Sequence, residues 1–237
     1  MRFYSISPQA VGTARGYDVR EELAKDGGNA AAVLEYLKTL YPDQYRRVLK
    51  LLRQVVSDLE EVRTEPFGSI LGLRFIHSEG ADAKGSPRTF TLDAFLESDG
   101  TLRMLGILTA AALAESAGSS VLGIEEPESA VHVGAFGTLL DALRSTARHT
   151  QVLITTHSAD LLDGRYIRPD NLRIVERTPL GTVVGPMQER AAEAVRKHLL
   201  LPGDLVRSGG MDQPMAMTPR GEIDLFGEVP DEESLQW

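Results

Sequence analysis

Two short apolar runs on either side of a helix-length segment most constrain the fold of this chain. Val121–Ile124 and Val152–Ile154 each have the length of a buried strand, and polar residues follow each run directly. The order strand, helix, strand predicts a parallel pair with a right-handed crossover. Because ligands of open α/β sheets bind at the carboxyl ends of the strands, the polar residues after both runs are the first candidates for a site.

Carboxylates and a histidine occupy these two strand ends. Glu125 and Glu126 follow the first run, and His157 follows the second. A pair of acids after a buried strand is a common way to hold Mg²⁺ and a water molecule beside a phosphate. The pattern therefore favours a nucleotide site, while the alternative is a solvated loop and a structural histidine.

A third polar element lies upstream of both strands. Ser98, Asp99 and Gly100 precede an apolar helix predicted from about residue 101 to 116. A small hydroxyl and a glycine at a helix N-terminus expose backbone N–H groups, which favour an anion. The same residues could serve only as an ordinary N-cap.

The order of these three elements resembles the C-terminal part of ABC-type ATPase domains of the RecF/SMC-like and OLD-like AAA class. In that family a signature loop opens a helix, a Walker B strand follows, and a switch histidine ends the next strand. The resemblance covers roughly residues 90–163. It implies an α/β fold, namely a P-loop NTPase-like sheet flanked by helices, with an α-helical insertion near the N-terminus.

The resemblance also implies a role for each strand-end residue. Glu125 would bind Mg²⁺, and Glu126 would be the catalytic carboxylate that orients or deprotonates the attacking water. His157 would contact the γ-phosphate or that water. Ser129 lies in the segment that corresponds to the D-loop, which runs along the subunit interface. Val133 follows His132 where the family often has proline, which leaves the role of His132 open.

Ser98, Asp99 and Gly100 would form the signature loop, which in the family contacts the γ-phosphate of ATP held by a second subunit. The expected ligands are therefore ATP and Mg²⁺, and the expected assembly is a homo- or heterodimer closed around ATP. Family members act in DNA repair or phage defence, so a nuclease or toxin effector and DNA are further expected partners.

The phosphate cradle of these ATPases, Gly-x-x-x-x-Gly-Lys-Ser/Thr, does not occur in the sequence. The nearest candidate, Gly80–Ser86, has Ser86 in place of the lysine and lies between two predicted antiparallel strands, so we reject it. A truncated gene product, a split ATPase with a separate Walker A-bearing chain, and a degenerate relative all remain open. The alternative function is a non-hydrolysing interaction subunit that binds a partner ATPase or effector.

We predict three segments. Residues 1–65 form a mainly helical arm or insertion, with helices over 30–40 and from Pro42 to Leu59, although this second helix could also pack on its own domain. Residues 66–202 hold the C-terminal part of the ATPase domain and begin with antiparallel strands at 71–77 and 88–95. Residues 203–237, rich in Gly, Pro, Met and acids, form a flexible tail.

Composition narrows the class of protein further. The net charge of −9 argues against a basic nucleic-acid surface over the whole chain, although a local patch remains open. The absence of cysteine excludes disulfides and zinc–thiolate sites. No apolar run reaches membrane-spanning length, so we predict a cytoplasmic protein without a membrane partner.

Overall fold

The computed structural model describes residues 1–16, 22–81, 87–179 and 181–208, which fall into two units, Met1–Tyr166 and Ile167–Trp237. The elements of the first unit are, in chain order, β1 (Arg2–Tyr4), α1 (Pro8–Val11), β2 (Arg15–Gly16), α2 (Ala30–Leu40), α3 (Pro42–Val55), β3 (Leu59–Phe67), β4 (Ile70–Ala81), β5 (Pro87–Asp93), α4 (Asp99–Ser116), β6 (Val121–Glu125), α5 (Phe136–Thr146), β7 (Gln151–Thr155) and α6 (Ala159–Leu162).

The strand ends that carry the candidate site residues belong to a parallel sheet with the order β1-β6-β7. The predicted parallel pairing of β6 with β7 is confirmed, with Glu125 opposite Thr155 in the register. Strand β1, which no sequence pattern predicted, pairs parallel with β6 on its other side. The carboxyl ends of all three strands therefore meet at one edge of the sheet.

Helix α4 lies at the centre of the first unit. Every residue from Thr101 to Ala114 is buried, so this helix is covered on all sides rather than amphipathic. It packs against α1, α2, α3 and α5, and it also contacts β6. The buried Glu115 side chain accepts hydrogen bonds from Arg47 of α3 and Thr146 of α5, both at 2.7 Å. This shared carboxylate connects the three helices.

An antiparallel sheet precedes α4 along the chain. The predicted hairpin is confirmed as β4 and β5. Of the rejected segment Gly80–Ser86, Gly80 and Ala81 belong to β4, and residues 82–86 lie outside the described residues. Strand β3, which the sequence analysis missed, pairs with β4 from Leu59 onward. The prediction that the helix from Pro42 continues to Leu59 is wrong, because α3 ends at Val55 and Val56 is extended. Two β-branched residues in a row favour that change to extended backbone.

The second unit contains β8 (Ile174–Thr178), β9 (Gly181–Gly185), α7 (Glu189–Arg196) and α8 (Pro202–Arg207). Strands β8 and β9 pair antiparallel. The small core of the second unit consists of Met187, Ala192, Val195 and Leu205. Helix α8 occupies the start of the predicted tail, and residues 209–237 of that tail lie outside the described residues. The division into arm, ATPase part and tail stays a prediction.

In the described part of the chain, no helix is both long enough and apolar enough to cross a membrane.

Candidate functional site

The strand ends of β6 and β7 bring three of the predicted site residues into direct contact. The Glu126 carboxylate accepts a hydrogen bond from Ser129 Oγ on Oε2, and its Oε1 lies 3.1 Å from His157 Nδ1. The Ser129 contact also measures 3.1 Å. Glu126 and His157 keep side-chain exposures of 43% and 78%, so both remain accessible to a substrate. Two neighbours therefore fix the direction of an accessible carboxylate.

The backbone of Glu126 adopts a conformation that L-residues rarely use. Its φ is 41°, in the left-handed region, which costs a non-glycine residue about 1 kcal/mol or more. The N–H of Glu126 donates to the carbonyl and the hydroxyl of Thr155, at 3.0 and 3.2 Å. The turn that follows is closed by the Ser129 N–H, which donates to the Glu126 carbonyl at 3.1 Å. Contacts on both sides of the residue hold this strained conformation.

Arg103 of α4 is a site residue that the sequence analysis missed. Its guanidinium donates to the carbonyls of Glu125 at 3.1 Å and Glu126 at 2.7 Å, and also to the carbonyl of Ile6. Burial lowers the pKa of the guanidinium, while the nearby carboxylates of Glu128, Glu126 and Glu125 act in the opposite direction. One buried cation therefore joins the ends of β1 and β6 to α4.

A signal for Arg103 was present in the sequence. It is the one charged residue between Thr101 and Ala114, a segment that is otherwise apolar or small. A lone charge in a helix without a polar face has to find buried partners, because an unpaired buried charge is very costly. The lone charge therefore marks Arg103 in the sequence, and the structure shows which carbonyl groups it reaches.

Glu128 is a second residue that the sequence analysis left without a role. It is buried, and its Oε1 accepts a hydrogen bond from the Thr156 hydroxyl. Its Oε2 has no hydrogen-bond partner among the described residues. The Thr156 hydroxyl in turn accepts from the Ser158 N–H at 3.0 Å. This chain of contacts ties the segment after β6 to the segment after β7.

Glu125 lies at the exposed end of β6, and its carboxylate is the proposed metal ligand. Within the described residues, no three His, Cys, Asp or Glu side chains are arranged to hold a metal ion. Mg²⁺ is commonly bound by one or two carboxylates together with substrate phosphates and water. The donor set at β6 fits that pattern, since it offers oxygen from an accessible carboxylate and leaves most positions to the substrate.

The segment Ser98–Gly100 has the geometry of an N-cap. The Ser98 hydroxyl accepts from the Thr101 N–H at 3.1 Å, and Asp99 accepts from the Gln9 amide at 3.3 Å. A Cβ on Gly100 would lie 2.8 Å from the carbonyl oxygen of Ala130. This loop therefore packs against the predicted D-loop, and its anion-binding role stays a prediction.

Comparison with known proteins places this geometry in context. The family model AAA_21, described as "AAA domain, putative AbiEii toxin, Type IV TA system", matches residues 17–163. That range is more than half of the chain, and the match confirms the predicted α/β fold of ABC-type P-loop ATPases. No curated protein matches the chain.

Among solved structures, the chain is similar to SMC head domains. One comes from work on ATP-driven dimerization and DNA stimulated activation of SMC ATPases. Its sequence identity to this chain is 11% and its TM-score is 0.47. The match covers 70% of this chain and 96% of the SMC chain. The SMC head domain from Thermotoga maritima is 12% identical, with a TM-score of 0.41, over 72% of this chain and 58% of that one. A third structure is an Smc head with an extended coiled coil, bound to the C-terminal domain of ScpA derived from Pyrococcus furiosus. It is 8% identical, with a TM-score of 0.46, and the match covers 70% of this chain and 40% of that one.

We expect Arg103→Met to lower the free energy of unfolding by about 2–4 kcal/mol, because three backbone carbonyls lose a charged donor. Urea denaturation measures this change. Arg148→Met, at an exposed arginine, serves as the matched control and should change the value by less than about 0.5 kcal/mol. Equal effects of the two substitutions would contradict the structural role of Arg103.

We also expect Gly100→Ala to lower the free energy of unfolding, by about 1–3 kcal/mol, because the new Cβ clashes with the Ala130 carbonyl. Thermal and urea unfolding measure it. The control is Gly137→Ala in α5, where a Cβ meets nothing within 4 Å. Alanine is the better helix former, so this control should be neutral or stabilising by up to about 1 kcal/mol. A neutral Gly100→Ala would show that the two loops do not pack closely.

Proposed function

Because the chain belongs to the AAA_21 family of AAA domains, we propose that it is the catalytic-carboxylate part of an ATP-hydrolysing, ABC-type ATPase domain. One observation carries this proposal. The accessible Glu126 carboxylate is held by Ser129 and His157 at the ends of two adjacent parallel strands. That edge of an α/β sheet is where such folds bind their ligands.

In the proposed reaction, Glu126 orients the water that attacks the γ-phosphate and accepts its proton, while the bond from the γ-phosphorus to the bridging oxygen breaks and ADP leaves. General-base assistance of this kind contributes roughly 10²–10⁴ in rate. The direction of the Glu126 carboxylate is set by Ser129 and His157. The backbone of Glu126 is held by Thr155 and Arg103. Such fixed orientation matters because catalysis of phosphoryl transfer consists mainly of positioning and charge stabilisation.

Glu125 supplies the proposed metal ligand beside this carboxylate. A bound Mg²⁺ would neutralise charge on the phosphates of ATP. Glu125 lies at the last position of β6, so its backbone is fixed by pairing with β7. Arg103 adds a further restraint by holding the Glu125 carbonyl.

In the described part of the chain one edge of β7 is unpaired, which suggests that a further strand pairs with it. Among the described residues β7 pairs only with β6, and the row Phe3, Gly123, Leu153 crosses the sheet in register on one face. Phe3 and Leu153 are 45% and 46% exposed, although parallel sheets are normally covered on both faces. We therefore propose that a further segment pairs with β7 and covers this face, and that it carries Gly-x-x-x-x-Gly-Lys-Ser/Thr. The segment comes either from the same polypeptide or from a separate chain.

The proposed assembly is a dimer of ATPase domains that closes around ATP. In it, Ser98, Asp99 and Gly100 of one domain face the γ-phosphate held by the other. The α4 N-terminus suits this role, because its backbone N–H groups favour an anion. The family description names a putative AbiEii toxin of a type IV system. From that description we propose that ATP turnover gates a toxin or nuclease effector in phage defence.

The second candidate is a non-hydrolysing interaction subunit. It is favoured by the sequence itself, which contains no phosphate cradle. This candidate gives no role to the contacts that hold Glu126 in a strained conformation next to His157. The two functions therefore differ in whether Glu126 matters for turnover.

We expect Glu126→Gln to lower ATP turnover by about 10²-fold or more, because the amide keeps the shape but cannot accept the proton of water. The measurement is phosphate release at saturating ATP by the chain co-purified with the segment that supplies the cradle. Glu60→Gln, at an exposed glutamate of the same unit, is the control and should leave turnover unchanged. Unchanged turnover in Glu126→Gln would contradict its role, and an assembly without turnover would favour the interaction subunit.

A further inference from the structure

A buried histidine lies between two carboxylates beside the predicted signature loop. His77 of β4 is 4% exposed. Its Nε2 lies 2.8 Å from Glu97 Oε2, and its Nδ1 lies 3.2 Å from Asp58 Oδ2. The ring stacks on Phe90 of β5, with centroids 5.2 Å apart and an interplanar angle of 15°. Stacking on Phe90 therefore fixes the plane of the imidazole, and the two carboxylates fix the direction of its nitrogen atoms.

Glu97 connects His77 to the loop, because its second carboxylate oxygen binds the backbone of Ser98. Its side chain is 7% exposed, and its second oxygen, Oε1, accepts the Ser98 N–H at 2.8 Å. Ser98 is the residue whose hydroxyl caps α4. A continuous series of hydrogen bonds therefore runs from β4 through His77 and Glu97 to the first residue of the loop.

Glu97 depends on His77 for its buried position. An ionised carboxylate can only accept hydrogen bonds, so the short contact with His77 requires the proton on Nε2. A buried carboxylate that loses a donor carries a large desolvation penalty. Without the ring, Glu97 gains free energy by turning toward the open cleft lined by the loop, Asp58 and Phe90. That movement removes the acceptor of the Ser98 N–H.

We propose that His77 is a positioning residue of the signature loop. It holds the Glu97 carboxylate in place, and this carboxylate fixes the backbone of Ser98 at the start of α4. The importance of this contact for ATP hydrolysis rests on the proposed role of Ser98 at the γ-phosphate. The hydrogen bonds of His77 and Glu97 are independent of that role. Among the described residues the group of Asp58, His77 and Glu97 is not arranged to hold a metal ion, so the ring acts through hydrogen bonds.

The test is amide hydrogen exchange of the full chain, followed residue by residue by NMR without nucleotide. We expect His77→Phe, which keeps an aromatic ring for the Phe90 stack, to accelerate exchange at Ser98 about 10-fold or more, corresponding to about 1.4 kcal/mol of local opening. Glu97→Ala should have the same effect. Glu97→Gln should restore protection to within about threefold of the wild type.

The rescue follows from the chemistry of the amide. The glutamine carbonyl accepts the Ser98 N–H, and its NH₂ group donates to an unprotonated Nε2 while the other ring nitrogen donates to Asp58. A purely structural role of His77 predicts faster exchange throughout β4, whereas a positioning role predicts a change confined to Ser98 and the first turn of α4. His149→Asn, at an exposed histidine, is the control.

Exchange at Ser98 that is unchanged in both His77→Phe and Glu97→Ala overturns the proposal, as does acceleration spread evenly over β4. If His77→Phe does not fold, His77→Leu is tested by the same criterion, while Glu97→Ala and Glu97→Gln test whether Glu97 fixes Ser98. The readout uses no ATP, so failure here is distinct from failure of the proposed function, which appears as absent turnover in the assembled ATPase.

Discussion

The buried guanidinium of Arg103 is the contact on which the arrangement of the site depends. It extends from α4 and reaches the backbone carbonyls at the ends of β1 and β6. Strands of a parallel sheet end in loops, and loops hold a fixed geometry only when their polar backbone groups have partners. Arg103 provides such partners from within the most buried helix of the unit. Arginine suits this position, because its planar group offers five donors.

This contact also joins two regions that the proposed reaction requires to act together. Helix α4 begins at the loop Ser98–Gly100, and Arg103 follows about one turn later. Its guanidinium holds the residue whose carboxylate faces His157. One buried side chain therefore connects the start of α4 to the backbone of Glu126. His77 contacts the same loop through Glu97.

The sequence predicted the parts of the fold that depend on local pattern. The strands β6 and β7, the helices α2 and α4 and the β4–β5 hairpin all have clear periodicity or strand-length apolar runs. Strand β1 was missed because its three residues, Arg2 to Tyr4, have no pattern of their own and become a strand only by pairing with β6. Strand β3 was missed because it carries several charged residues and lies directly after a helix. The contacts of Arg103, Glu128 and His77 join residues far apart in sequence, which no local pattern can specify.

The most direct test of the central claim is calorimetric titration of Mg²⁺–ATP into the isolated chain and into the chain assembled with its cradle-bearing segment. We expect no saturable binding to the isolated chain up to about 1 mM, the upper end of typical KM values. The assembly should bind saturably well below that concentration. In the proposed assembly, phosphate contacts from the cradle-bearing segment supply the difference. Tight binding of ATP by the isolated chain would contradict the claim that its site is one half of a shared one.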